Sequence, residues 1–444
     1  MSDQQETVSM KSKLDQAIEL HRAGSLTDAE EMYKSVLQAD PDQADALQLL
    51  GVIAAQLGNL PLAIKRTELA LSKYPDQPVT FNNLGNMLVE LDRFDEAIKA
   101  YQNAVHLRPD YEQALMNLGH ACSRSDELIG ALEAYNKATE LNPENANAWD
   151  SLGDTLDKIG RTEEALEAFE KAIAIEPERV SFLHRYGKAL RTLNRIEEAA
   201  DIYDRCLRLQ PDDEIAKHFK LVCQDSTSVP ERVSDAYVAK TFDEFAESFD
   251  QVLNTLRYKA PKLLGELACK FTENYDRERL DVVDLGCGTG LCAEYIQGVT
   301  NELIGIDLSK EMLAKAEARG GYDQLVHGEL TGYLESCDRK FDLALSADTF
   351  IYIGDLESTI NAAAGVLRPG GALIFSLEKI APELLERYSV GYRLGPSGRY
   401  QHGKDVVLGW LNNAGFVDHE IHEDIVRTEG KENVQGYLVS TRLP

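Results

Sequence analysis

The 444-residue chain predicts two architectures in tandem, an all-helical solenoid followed by an α/β domain with a mostly parallel sheet. Three observations carry this. Residue classes recur with a fixed 34-residue period in the first half. A glycine-rich turn, Gly286-Cys-Gly288-Thr-Gly290, closes a short apolar run in the second. Strand and helix patterns alternate from that turn onward, the signature of parallel strands joined by helical crossovers.

The period is set by Pro41, Pro75, Pro109, Pro143, Pro177 and Pro211. Gly51, Gly85, Gly119, Gly153 and Gly187 keep the same step, as do the alanines from Ala29 to Ala199 and the aromatics Tyr33, Tyr101, Tyr135, Phe169 and Tyr203. Apolar spacing inside one unit is helical and breaks near Gly58-Asn59, giving two antiparallel helices per repeat. The small residues let the paired backbones approach, and the aromatic is expected to fill the space between neighbouring units. The proline opens the next turn, where its missing N–H costs nothing. This pattern resembles the tetratricopeptide repeat family and covers six units, with a capping helix at 214–224, so the array spans 10–224. The resemblance implies a concave groove that takes a protein or peptide partner. Asn82, Asn83, Asn86, Asn117, His120, Asp154, Arg185 and Lys188 fall on groove-facing positions. Asn83 and Asn117 stand one repeat apart, but Leu49, Ser151 and Arg185 interrupt the series.

Ser226 to Pro230 reads as a linker, and 225–279 as linker plus a helical lid rich in aromatics (Tyr237, Phe242, Phe245, Phe249). From Leu280 to Pro444 the pattern is α/β. The run Leu280–Leu285 ends in the glycine turn, and the next strand, Leu303–Ile306, ends at Asp307. Ligands of such sheets bind beyond the carboxyl ends of the strands. The turn is G-x-G-x-G with Asp284 close before it, rather than the G-x-G-x-x-G of dinucleotide sites. A carboxylate there opposes a pyrophosphate and suits a ligand carrying an ammonium and a sulfonium.

The run Val282–Gly290 closely resembles the first motif of class I S-adenosylmethionine-dependent methyltransferases. Ile306-Asp307-Leu308-Ser309, Val326–Leu330, Phe341–Asp348 and Leu367–Leu373 resemble the motifs that follow, in the correct order. Residues 237–258 resemble the lid of bacterial methyltransferases that carry tetratricopeptide repeats. The resemblance implies a Rossmann-like fold with a mostly parallel seven-stranded sheet, closed by strands at 416–421 and 434–441. It implies S-adenosyl-L-methionine as cofactor and S-adenosyl-L-homocysteine as product. Asp284 would orient the ligand's amino group. Gly286, Cys287 and Gly288 would contact its methionine part, and Asp307 its ribose. Leu308, Glu329 and Leu330 would flank the adenine, and Asp348 would border the methyl-transfer end. Cys287 reads as a small residue and not a nucleophile, and Asp342 as a turn residue.

Methyl transfer needs position and electrostatics from the protein, and a base only where the acceptor must lose a proton. Candidate groups on the acceptor side are Tyr352, Glu378 and the loop-like, polar and aromatic segment 392–402. His402, whose ordinary pKa is near neutrality, is either a general base or an orienting residue.

A net charge of -29 and the lack of a basic cluster argue against nucleic acid. Seven cysteines without C-x-x-C pairing or zinc-ligand spacing read as reduced thiols, with no metal site. With no apolar leader and no stretch of about 20 apolar residues, a cytoplasmic protein without membrane contact is expected. Three functions fit: a methyltransferase whose repeats recruit a protein, peptide or carrier-bound acceptor; a small-molecule methyltransferase whose repeats scaffold or form a homodimer; and a catalytically silent interaction protein that binds S-adenosylmethionine.

Overall fold

A computed structural model describes residues 2–224, 230–273, 275–429 and 432–444; most of the expected linker, at 225–229, lies outside them. The chain divides into compact units at Arg195/Ile196.

In the first unit the described residues form eleven helices, from Ser2–Arg22 to Val180–Thr192, antiparallel in pairs. The periodic glycines are bare because rings lie against them. A Cβ on Gly85 would stand 2.4 Å from the Tyr101 ring, and one on Gly119 or Gly153 2.6 Å from Tyr135 or Phe169. Each ring therefore packs on the glycine of its own repeat, rather than only between units as expected. In the second repeat of the array Thr67 replaces the aromatic and fills the space at Gly51 instead. A further periodic position, not singled out from the sequence, sits at the turn inside each repeat. Gly24, Gly58, Asp92, Asp126, Gly160 and Asn194 all have positive φ. Gly, Asp and Asn are the residues that tolerate this conformation.

Polar side chains in this unit bind one another within and across repeats. Asn117 Nδ2 donates to Asn82 Oδ1 at 2.9 Å and to Asn86 Oδ1 at 3.1 Å, and the Tyr101 hydroxyl donates to Asn86 at 2.7 Å. Arg185 pairs with buried Asp150, and Lys188 with Asp157 at 3.0 Å. Burial pushes the Asp150 carboxyl up to about 6, against the pull of Arg185.

The second unit starts with the last repeat helix, Ile196–Leu209, and the capping helix, Glu214–Gln224. The cap is anchored in this unit. His218 stacks on Tyr237 with ring centroids 4.1 Å apart, and its Nε2 lies 2.9 Å from Gly398 O. Ser234 Oγ donates to Glu214 Oε2 at 2.7 Å. The second compact unit thus begins at Ile196, within the expected repeat array of 10–224.

Among the described residues nine strands form one sheet: β1 (Leu280–Leu285), β2 (Thr300–Asp307), β3 (Gln324–His327), β4 (Phe341–Ser346), β5 (Leu367–Lys379), β6 (Tyr392–Leu394), β7 (Tyr400–His402), β8 (Val417–Glu429) and β9 (Glu432–Arg442). The parallel order is β3-β2-β1-β4-β5, with β9 antiparallel to β5 and β8 antiparallel to β9. The expected count of seven is two short, because 392–402 is a hairpin and not a loop. Its alternation is strict: Tyr392, Leu394, Tyr400 and His402 are buried, while Arg393 and Gln401 are partly exposed and bond to each other at 2.8 Å. The hairpin extends the tip of β5 at Glu378 and Lys379.

Both faces of the sheet are covered, so the central strands are apolar on both sides. Val283, Leu285, Ile304 and Phe375 face one core, and Val282, Leu303, Leu345 and Ile374 the other. Asp342, expected as a turn residue, is instead fully buried in β4. It accepts from Arg277 Nη1 at 2.6 Å, Tyr275 Oη at 3.0 Å and the Asp281 amide at 2.9 Å. Among the described residues no helix is long and apolar enough to cross a membrane.

Candidate active site

The carboxyl ends of β1, β2 and β4 converge on a cavity of about 350 Å³. Gly286, Gly288, Asp307, Leu308, Glu329, Leu330, Asp348 and Tyr352 all line it. Phe242, Phe245, Phe249 and Leu253, from the helices Asp235–Phe245 and Phe249–Thr255, cover it from the lid side.

The glycine turn is built around its conformation and its neighbours. Gly286 has φ 77°, and a Cβ there would collide with the Thr349 side chain at 2.1 Å. A Cβ on Gly288 would meet nothing nearer than the Phe249 ring, 3.9 Å away, so the backbone there faces open space. Asp307 closes the turn: its Oδ2 accepts the Gly288 N–H at 2.9 Å and its Oδ1 the Ser309 N–H at 2.8 Å.

Asp284 lies beneath the turn, fully buried. The Tyr322 hydroxyl donates to its Oδ2 at 2.7 Å, while Oδ1 has no hydrogen-bond partner. Burial pushes this carboxyl up to about 7; the Tyr322 bond pulls it down, Asp307 adds to the rise, and the nearby Cys292 thiol offsets a little of it. A buried carboxylate without a counter-charge is costly, and such groups concentrate at binding sites. Cys287 is buried nearby, and burial together with Asp284 and Asp307 keeps its thiol protonated. That fits a small packing residue and not a nucleophile.

The lid is tied down by carboxylates. Asp243 Oδ1 accepts from Ser309 Oγ at 2.6 Å, Asp250 Oδ1 from Thr289 Oγ1 at 2.6 Å, and Asp250 also pairs with Arg319. Glu329 caps the helix Leu330–Ser336. Its two oxygens accept the Thr331 and Gly332 amides at 2.9 and 2.7 Å, and Arg232 lies 3.0 Å away.

At the far end Asp348 holds a left-handed backbone, φ 52°. Ser376 Oγ donates to its Oδ1 at 2.6 Å and Arg427 Nη1 to its Oδ2 at 2.7 Å. Arg427 also pairs with Glu378 and, at 2.8 Å, with Glu429. Arg399 joins the same carboxylates, and its Nε lies 3.5 Å from the Tyr352 hydroxyl. Arg427 was not legible as a site residue, because it is one of many charged residues in β8; it adjoins a β-bulge between Ile425 and Arg427.

His402 is not in the cavity wall. It is fully buried, and its Nε2 is shared between Ile353 O and Gly354 O at 3.0 Å each. Burial pulls its pKa down to about 4. Away from the cavity, its ring fastens β7 to the segment after β4.

Comparisons with known proteins follow the same division. The family profile described as methyltransferase domain matches residues 283–375. Tetratricopeptide repeat profiles match residues 14–78 and 151–214, and others fall within 85–167. A malonyl-[acyl-carrier protein] O-methyltransferase of Buchnera aphidicola is 27% identical over 187 residues, 41% of this chain and 71% of that protein. Other relatives of the same description align over about half their own length, 52 to 55%. A ubiquinone biosynthesis O-methyltransferase of Pseudoalteromonas translucida is 25% identical over 201 residues, 42% of this chain and 84% of that protein. Among solved structures, the tetratricopeptide repeat protein YrrB is 20% identical with a TM-score of 0.40, covering 42% of this chain and 97% of its own. The chain thus joins an array of tetratricopeptide repeats to a C-terminal methyltransferase domain.

Proposed function

We propose that this domain transfers a methyl group from S-adenosyl-L-methionine to an acceptor bound past Asp348, and that the repeats recruit that acceptor as a protein, a peptide or a carrier-bound group. The unpartnered Oδ1 of buried Asp284, set beside a side-chain-free turn, carries the cofactor part. It offers a negative acceptor to an ammonium and would repel a pyrophosphate. The bound cofactor supplies a methyl on a sulfonium and leaves as S-adenosyl-L-homocysteine. Gly286 and Gly288 would let it approach the backbone. The Asp307 oxygens, held by backbone amides including Gly288 and Ser309, have lone pairs left for ribose hydroxyls. Leu308 and Leu330 would sandwich the adenine, with Glu329 at its edge. The lid phenylalanines would exclude water, and the Asp348–Arg427 pair would fix the acceptor end.

Recruitment is supported by the carrier-bound acceptor of the Buchnera relative and by the repeats themselves. The second reading, a small-molecule acceptor with the repeats as scaffold or dimer contact, is favoured by Asn117, whose amide is committed to Asn82 and Asn86 and not offered to a peptide. Incubating the protein with methyl-labelled S-adenosylmethionine and fractionated host extract separates them. Label in macromolecules supports recruitment, label in small metabolites supports the second reading, and transfer to neither contradicts an active enzyme.

A further inference from the structure

We infer that Tyr322 is a positioning residue for the cofactor: its hydroxyl fixes the Asp284 carboxylate so that the opposite oxygen meets the ligand's ammonium. The inference rests on the cofactor reading above and extends it to a residue outside every motif singled out in the sequence.

The ring occupies a slot made for it. Tyr322 lies between the helix Lys310–Arg319 and β3, after Gly320 and Gly321, both with positive φ. A Cβ on Gly305 of β2 would stand 2.8 Å from the Tyr322 ring, and one on Gly290 of the turn 3.0 Å from it. Two glycines on different elements are thus bare where this ring passes. The hydroxyl then reaches Asp284 Oδ2 at 2.7 Å, leaving Oδ1 buried and unbonded.

A carboxylate held at one oxygen cannot turn about its last bond without breaking that contact. The bond also favours the ionised form, which alone pairs strongly with an ammonium. The other groups facing Asp284 are Asp307 at the end of β2, Cys287 in the turn, Cys292 on the next helix and Tyr258 before the helix Ala260–Thr272. None of them is a cation, so the hydroxyl is the principal group holding the charge in place.

The test is calorimetric titration of the full chain with two ligands. S-adenosylhomocysteine carries the amino acid part, and 5′-methylthioadenosine shares the adenine, ribose and sulfur but lacks it. Tyr322→Phe keeps the ring in its slot. It is expected to weaken S-adenosylhomocysteine about tenfold, the worth of one hydrogen bond to a charged group, and to leave 5′-methylthioadenosine unchanged. The pH midpoint of S-adenosylhomocysteine affinity is expected to rise, and in an Asp284→Asn background Tyr322→Phe should have no further effect. Equal weakening of both ligands, or of neither, overturns the inference and leaves the cofactor reading standing. Failure of the wild type to bind either ligand overturns both.

Discussion

The two halves of the chain bury carboxylates in opposite ways. In the repeats Asp150 also has one unbonded oxygen but is buried against a cation, Arg185, and the asparagines at Asn82, Asn86 and Asn117 bond one another across units. In the α/β domain Asp284 is buried against a phenol, with one oxygen unbonded. The glycines of the periodic series and of the cavity turn differ as well. Gly85, Gly119 and Gly153 are bare to receive rings, whereas Gly286 and Gly288 hold positive φ and line a cavity. A buried carboxylate balanced by a cation holds a solenoid together; one left without a counter-charge at the end of a strand is a candidate place for a ligand.

The sharpest way to break this contrast is to neutralise the carboxylate that lacks a counter-charge. Asp284→Asn is expected to weaken S-adenosylhomocysteine by about 100-fold, loss of a buried charge pair being worth on the order of 2–5 kcal/mol, with repeat stability unchanged. Calorimetry beside amide exchange in the repeat helices checks both halves of the statement.

Acid stability gives a smaller effect. His402 has a folded pKa of about 4, below its ordinary 6.5, so its burial favours folding above pH 6.5 and loses that contribution as pH falls toward 4. Asp284, raised to about 7 from 3.8, works in the opposite sense and regains stability over nearly the same window. His402→Gln, whose amide can still donate to Ile353 O and Gly354 O, should therefore unfold less readily than wild type at pH 5 in a denaturant titration, with little difference at pH 7.5. A wild type and variant that respond alike to pH would show that His402 is not buried as a neutral ring.

The repeats should answer to packing and not to ligand. Gly119→Ala, with a Cβ 2.6 Å from the Tyr135 ring, is expected to destabilise the array by about 1–3 kcal/mol. The loss should appear as faster exchange in the helices Glu112–Arg124 and Leu128–Leu141, with S-adenosylhomocysteine affinity intact. Asn117→Ala is the mildest change, about 1 kcal/mol, read in the same helices. Should Asn117→Ala instead abolish labelling of a macromolecular acceptor without measurable loss of stability, the groove amides serve a partner and the contrast drawn above fails.

What could be read from the sequence follows from where the physics is local. The repeat period, the glycine turn and the acids at the ends of β1 and β2 were legible because packing and backbone conformation fix residue type at those positions. The left-handed turn position was hidden because three residue types, Gly, Asp and Asn, satisfy it equally. The hairpin at 392–402 was missed because three-residue strands have too little alternation to separate from a polar loop. Tyr322 and Arg427 were invisible for a different reason: each acts across the fold, reaching Asp284 over 38 positions and Asp348 over 79. His402 carried a suitable intrinsic pKa, but burial, which a single sequence does not display, decides what that ring can do.

Calorimetric titration of the full chain with S-adenosylhomocysteine and, separately, with a nicotinamide dinucleotide decides whether Asp284 and the bare turn select a cationic amino-acid ligand. The account predicts saturable binding of the first, weakened about 100-fold in Asp284→Asn, and none of the second. Saturation by the dinucleotide with no heat from S-adenosylhomocysteine would contradict it.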